Sequence, residues 1–156
     1  KTEYQDVLIE VLQTVLEEMN GISLSTLVNE VSRRFGIARS TERQTKHILK
    51  LIQPWAGISR KIKSNPTIWR DRGSVVGIID WRGLAPFGIK RHWKDISFHE
   101  QLGAVEYAIK SGNTPLTNVL KDMFQLDRLT ASTSKEFDDW CENYGIYMQE
   151  VHNQQG

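Results

Sequence analysis

Basic side chains follow one face of a predicted helix between residues 39 and 52. They recur at i, i+4, i+7, i+8 and i+11, which is the spacing of a single helix face. The members are Arg39, Arg43, Lys46, His47 and Lys50. Long cations on such a face can contact phosphates, and Arg43 or Gln44 near the N-terminal end could reach base edges. Glu42 is the one acid in this stretch, whereas an ordinary solvated face mixes both charges. The pattern therefore favours a polyanion, with DNA ahead of RNA or another acidic partner.

A second basic group surrounds a predicted β-hairpin. Residues 58–63 and 67–70 favour extended structure, and Ser64-Asn65-Pro66 between them favours a turn. The basic side chains around the tip are Arg60, Lys61, Lys63 and Arg70. Residues 33–94 include fifteen basic residues and only three acidic ones, although the whole chain carries a net charge of +1. We expect Lys61 and Lys63 to anchor this hairpin on the backbone or minor groove of a nucleic acid.

Three amphipathic helices must position these basic groups. Apolar residues at helical spacing predict helices over 7–19, 24–35 and 41–52, with Ser40 as the N-cap of the third. Three helices followed by a hairpin form the winged-helix layout, in which the last helix enters the major groove. A further apolar run, 75–81, predicts another strand. The predicted fold class is α+β and mostly helical.

The second half of the sequence resembles a wingless copy of the three helices. At an offset of 89 residues, Leu27, Val31 and Phe35 correspond to Leu116, Leu120 and Phe124. Further helices are predicted from residue 98 to Gly112, from residue 116 to Phe124, and over 134–144 up to Gly145. Duplication therefore predicts a winged helix followed by a helical repeat that lacks the hairpin. Chance matching of amphipathic helices is the alternative.

The sequence predicts four segments. They are a winged-helix-like domain over 1–81, a basic connector over 82–96, a three-helix second subdomain over 97–150 and a frayed tail over 151–156. The first residue is Lys rather than Met, so we expect the chain to be a segment of a larger protein. The acidic second subdomain is expected not to touch DNA, and to contact other domains of that protein.

Residues with catalytic chemistry are sparse. His92, His99 and Glu100 give a weak indication of a metal site, and Cys141 falls on the inner face of a helix, where a packed thiol is expected. The sequence shows neither a phosphate-binding glycine loop nor a GxSxG motif. We therefore predict a non-catalytic segment without cofactor, metal ion or small-molecule substrate. An enzyme built around the two histidines and Glu100 is a minor alternative.

The tryptophans at 55, 69, 81 and 93 allow two interpretations. Core packing is the favoured interpretation, and stacking on unpaired bases is the functional one. Trp69 and Trp81 are each followed by an arginine, so these two are the strongest candidates for stacking.

Composition excludes several classes of protein. Charged residues make up 25% and hydrophobic residues 39% of the 156, which excludes general disorder. The sequence has no apolar run of the roughly 20 residues that a membrane span needs, so no membrane partner is expected. A lone cysteine cannot form an internal disulfide, which favours a reducing compartment such as the cytoplasm.

The sequence resembles a domain of unknown function found at the C-terminal end of large bacterial superfamily-one helicase-like proteins. The resemblance rests on VLQTVLEEMNGISLSTLVNEVSRRFGIAR, on TIWR, and on ISFHEQLGAVEYAIKSG followed by LKDMFQLDR. It implies a nucleic-acid-binding accessory domain, with helicase ATPase or nuclease activity elsewhere in the parent protein. Together with the basic residues, it predicts that the chain binds duplex DNA. The alternative is a protein–protein interaction module on a winged-helix scaffold.

Overall fold

The structure is a computed structural model that describes residues 3–155. Within that range it has six α-helices and one three-stranded antiparallel sheet, which confirms the α+β, mostly helical class. The elements are α1 Glu3–Glu18, β1 Ile22–Ser23, α2 Leu24–Arg34, α3 Glu42–Ile52, β2 Gly57–Ser59, β3 Thr67–Trp69, α4 Phe98–Lys110, α5 Leu116–Met123 and α6 Ala131–Gln155. None of these helices combines the length and the apolar character that crossing a bilayer requires.

The chain divides into two compact units. The first contains the residues up to Gly77 together with Lys94–Phe98, and the second contains Ile78–Trp93 with the residues from His99 onward. The expected connector over 82–96 is therefore split: its larger part belongs to the second unit, and its last three residues belong to the first.

The first unit places three helices against the sheet. Strand β3 lies in the centre, with Ile68 opposite Ile22 of β1 and opposite Ile58 of β2. Its core is aliphatic apart from one tryptophan, because the apolar stripes of all three helices turn inward. The most deeply buried residues include Leu12, Val15, Leu16, Leu27, Val31, Ile48, Ile52, Ile68 and Trp69.

The hairpin is shorter than the sequence predicts. Strands β2 and β3 have three residues each, so residues 60–66 form the connection. Polar contacts to the start of α2 explain this length. The Asn65 side chain accepts from the Ser25 backbone N–H at 2.9 Å and donates to the Ser25 hydroxyl at 2.9 Å, and the Pro66 carbonyl accepts from the Leu24 N–H. These bonds hold the connection against α2 instead of letting the strands extend.

The prediction of a strand over residues 75–81 is wrong. Residues 78–81 instead pack on α4 in the second unit, where the Ile79 N–H donates to the His99 carbonyl at 3.1 Å. The contact requires a glycine in α4, because a Cβ added at Gly103 would lie 1.7 Å from the Ile79 carbonyl oxygen. An apolar run can bury itself on a helix as well as in a sheet, and its periodicity does not distinguish the two.

Aromatic side chains form the core of the second unit. Phe124 at the end of α5 lies 5.1 Å from Trp81, 6.0 Å from Phe137 and 5.7 Å from Trp140, measured between ring centroids. Trp93 also packs edge-on against Phe137 at 5.7 Å. Helix α6 supplies two of these rings, which fixes its first half on the core.

Helix α6 is longer than the sequence predicts. It begins at Ala131 after the capping residue Thr130 and continues through Gly145 to Gln155. A glycine inside a helix costs only about 1 kcal/mol relative to alanine, so it does not have to end one. Residues 151–155, expected to fray, are therefore the last residues of α6, and Gly156 lies outside the described residues.

Candidate nucleic-acid interface

Helix α3 presents its basic residues on one exposed face. Arg43, Lys46, His47 and Lys50 are exposed, whereas Ile48 and Ile52 on the opposite face are 4% and 0% exposed. Arg39 is also exposed and lies in the turn before the helix. We call Arg39, Arg43, Lys46, His47 and Lys50 the α3 basic face. The structure therefore brings four of the predicted site residues to one face of α3 and leaves Arg39 exposed in the segment before the helix.

The α3 basic face is nearly free of acids. Lys46 forms a solvent-exposed pair with Glu42, with 3.4 Å between Nζ and Oε1, and the two side chains are 78% and 84% exposed. An exposed pair of this kind is weak and is further screened by salt. Within residues 3–155, Arg39, Arg43 and Lys50 form no ion pair. The positive charge of this face is thus available to an anionic partner.

Other basic residues in the 33–94 stretch are neutralised in the fold. Arg33 and Arg34 pair with Glu30 on their own helix, and Arg34 also reaches Glu18 at 2.7 Å. Arg82 and Arg91 both turn inward to Glu100. The excess of positive charge counted from the sequence therefore overstates the basic surface.

Gln44 has a structural role that was not predicted, although Thr41 and Gln44 have the sequence spacing of a capping box. Thr41, rather than Ser40, is the N-cap of α3, and it forms a capping box with Gln44. The Gln44 side-chain oxygen accepts from the Thr41 N–H at 2.8 Å, and the Thr41 hydroxyl accepts from the Gln44 N–H at 3.2 Å. Ser40 instead donates to Asn29. Of the two residues considered for base contacts, only Arg43 extends freely from the helix.

The hairpin connection carries the second basic group. Arg60, Lys61 and Lys63 are exposed. Arg70 is exposed as well, but its Nε lies 3.5 Å from Asp71 and 3.1 Å from the Ser74 hydroxyl. We therefore expect Arg70 to contribute less to anion binding than the three residues of the connection.

A polar groove of about 240 Å³ joins α3 to this connection. Hydroxyl and amide side chains line it between α2, α3 and residues 64–65, and they include Asn29, Ser40, Thr45, Ser64 and Asn65. Such groups can donate to phosphate oxygens. Thr45 is the α3 residue that lines this groove, so the groove lies on a different side of α3 from Arg43, Lys46, His47 and Lys50.

The tryptophans are mainly core residues. Trp69 is 2% exposed, which agrees with the favoured interpretation of core packing and contradicts the alternative of stacking on bases. Trp81 packs on Phe124, and the Arg91 guanidinium lies 5.1 Å from its ring. Trp55 is half-buried and lines an open groove beside α3. No arginine follows it in the sequence, so it was not among the strongest candidates for stacking.

Glu100 is a structural residue of the second unit. Its carboxylate is 1% exposed and accepts from Arg82 Nη2 and Arg91 Nη2 at 2.6 Å each. Burial by itself raises the pKa of this carboxyl, but the hydrogen bond from Arg91 and the charge of Arg82 outweigh burial, and the pKa is lowered. The residue proposed for a metal site thus binds two arginines. Within residues 3–155, no three His, Cys, Asp or Glu side chains are placed to hold a metal ion.

Cys141 lies half-buried on α6. Burial raises the pKa of its thiol, and the charge of Asp138 raises the pKa further. The thiol is therefore held in its less nucleophilic, protonated form.

In comparisons with known proteins, no family, no curated protein and no solved structure matches this chain.

Proposed function

We propose that residues 3–77 form a winged helix that binds duplex DNA, and that α4–α6 repeat its helices without the hairpin. The element order supports the first part: helix, strand, two helices, then two strands, of which β3 pairs with both β1 and β2. In the winged-helix arrangement the helix before the hairpin lies in the major groove. That helix is α3 in this chain.

The exposed, acid-poor α3 basic face is the observation that carries this proposal. An 11-residue helix is about 16 Å long, and its width suits a major groove about 12 Å wide. Arg39, Lys46 and Lys50 contact phosphates, while Arg60, Lys61 and Lys63 reach the backbone beside the groove. Because Gln44 is occupied in the cap, Arg43 is the main candidate for a base contact. Phosphate contacts therefore dominate, and sequence preference is weak.

From the resemblance in sequence we infer that this activity belongs to an accessory domain of a larger bacterial helicase-like protein. In that setting ATPase or nuclease chemistry belongs to other domains, and this chain supplies contact with DNA.

A matched pair of charge reversals tests the proposal. Lys46 and Lys135 are each 78% exposed, and each pairs with an acid four residues away on its helix. Fluorescence anisotropy on a labelled duplex across a salt series should show that Lys46→Glu weakens binding and that Arg43→Glu together with Lys46→Glu abolishes it. Lys135→Glu should leave the affinity within about twofold of wild type. Lys61→Ala and Lys63→Ala should each lower the slope of log affinity against log salt by about 1.

Circular dichroism verifies that the variants fold, because the reversed side chains lie opposite Ile48 and Ile52. Wild-type protein without salt-dependent binding at low ionic strength would contradict DNA binding. It would favour the protein-interaction alternative, as would an unchanged affinity after reversal of Arg43 and Lys46.

A further inference from the structure

An open groove lies between α1 and the C-terminal end of α3. Its volume is about 580 Å³, within the range of roughly 300–1,000 Å³ that is typical of ligand pockets. Ile9, Leu51, Pro54 and Trp55 give it an apolar floor, and His47 and Lys50 stand at its edge. Acids are missing from the described side chains that line it.

Trp55 lines this groove and is anchored to the end of α3 through its backbone. It follows α3 directly, with Pro54 before it, and its backbone N–H donates to the Ile52 carbonyl at 3.1 Å. Its side chain is half-buried, so part of the indole is fixed while part faces the groove. Any nucleobase can stack on a fixed aromatic ring, whatever its sequence. Trp55 therefore offers a binding surface that needs no base-specific hydrogen bond.

The charge around the groove favours a nucleotide. His47 and Lys50 belong both to the groove and to the α3 basic face, so a strand contacting that face reaches the groove without a break. On α1, the exposed residues Asp6 and Glu10 follow Gln5 and Ile9 and repel phosphate. A nucleotide is thereby directed to place its phosphate on the α3 side and its base on the apolar floor. An acidic peptide could pair with His47 and Lys50 but has no base to stack on Trp55.

We propose that this groove binds an unpaired nucleotide of DNA, with its base packed on Trp55 and its phosphate beside Lys50 and His47. The inference rests on the proposed duplex binding only for the strand that leads into the groove. It makes the preferred ligand a junction between duplex and single-stranded DNA instead of continuous duplex.

Three ligands of one sequence test this inference: a blunt duplex, the same duplex with a four-nucleotide overhang, and the overhang strand alone. Anisotropy should show that wild-type protein binds the overhang duplex roughly fivefold or more tightly than the blunt duplex. Trp55→Leu should reduce this ratio to below about twofold and leave the affinity for blunt duplex unchanged. Tyr107→Leu, which removes an aromatic ring that is 57% exposed on α4, should preserve the ratio.

A second variant guards against misfolding of Trp55→Leu. Ile9→Glu places a negative charge in the half-buried floor, and it should abolish the overhang preference in the same way. Equal affinity of wild-type protein for blunt and overhang duplexes overturns the inference. An overhang preference that persists in both folded variants also overturns it, because another surface then binds the unpaired nucleotides.

The two proposals fail separately. Blunt-duplex binding without overhang preference leaves the proposed function intact and removes the groove inference. Binding of the overhang strand that depends on Trp55, without any binding of blunt duplex, supports the groove and contradicts the proposed function.

Discussion

The helix pairs α2–α3 and α5–α6 share their local construction. Phe35 and Phe124, 89 residues apart, each end the first helix with a backbone N–H donated to carbonyls two and four residues back. The next residue has a positive φ in both pairs, +72° at Gly36 and +53° at Gln125. The second helix begins one residue after a capping threonine, Thr41 or Thr130. The turn and the start of the second helix are therefore set in the same way in both.

The two pairs differ in surface charge and in what covers their core. Positions of Arg43, His47 and Lys50 in α3 correspond to Ser132, Glu136 and Asp139 in α6. The first unit has an aliphatic core beside a sheet. The second unit has an aromatic core beside the irregular segment 78–93. The same helix–turn–helix backbone can thus carry surfaces of different charge. Function must therefore be inferred from the side chains and not from the backbone arrangement.

The largest loss of stability is expected in the second unit, where residues 78–81 pack on α4 in place of a sheet. Gly103→Ala places a methyl group against the Ile79 carbonyl oxygen, which is backbone and cannot move aside. We expect α4–α6 to lose protection in hydrogen-exchange mass spectrometry, whereas α1–α3 retain it. Gly145→Ala is the control. It lies inside α6 with no atom near the added Cβ, and it should stabilise the protein by about 0.5–1 kcal/mol.

The corresponding phenylalanines should differ in their energetic importance. Phe124 is 3% exposed and contacts three aromatic rings, so Phe124→Ala should cost about 3–5 kcal/mol. Phe35 is half-buried, and Tyr4 is its ring neighbour at 6.0 Å, so Phe35→Ala should cost about half as much. Urea denaturation measures both. Equal losses of unfolding free energy in the two variants would contradict the different packing of Phe35 and Phe124.

The smallest of the three effects concerns Glu100. Its two arginines come from outside its own helix, whereas those of the buried Glu30 in the first unit lie on the same helix. Glu100→Gln removes a buried charge that binds two arginines and should cost about 1.5–3 kcal/mol at pH 7. Because the pKa of Glu100 is lowered in the folded state, its contribution is complete above the pKa of the unfolded chain and falls as pH decreases through the folded value. The difference in stability between wild type and Glu100→Gln should therefore shrink below about pH 4. A difference that is constant from pH 7 to pH 3 would contradict the linkage.

The sequence alone determined that six helices form within residues 3–155 and that α3 has an exposed basic face. Apolar spacing placed Ile48 and Ile52 inside and the cations outside, because a helix with 3.6 residues per turn separates these positions onto opposite faces. The site could be predicted to this extent since it lies on one continuous element. Duplex binding by that face stays a prediction.

Only the tertiary structure decided which charges and rings face outward. Arg82 and Arg91 belong to the same basic stretch of sequence as the cations of α3, yet a carboxylate on α4 binds both. Trp69 is buried by strand pairing, and Trp55 faces a groove because α1 and α3 meet beside it. The segment 78–81 has the apolar run of a strand, but a glycine on α4 lets its backbone approach a helix. Each outcome depends on contacts between residues distant in the chain, and local propensity carries no information about those contacts.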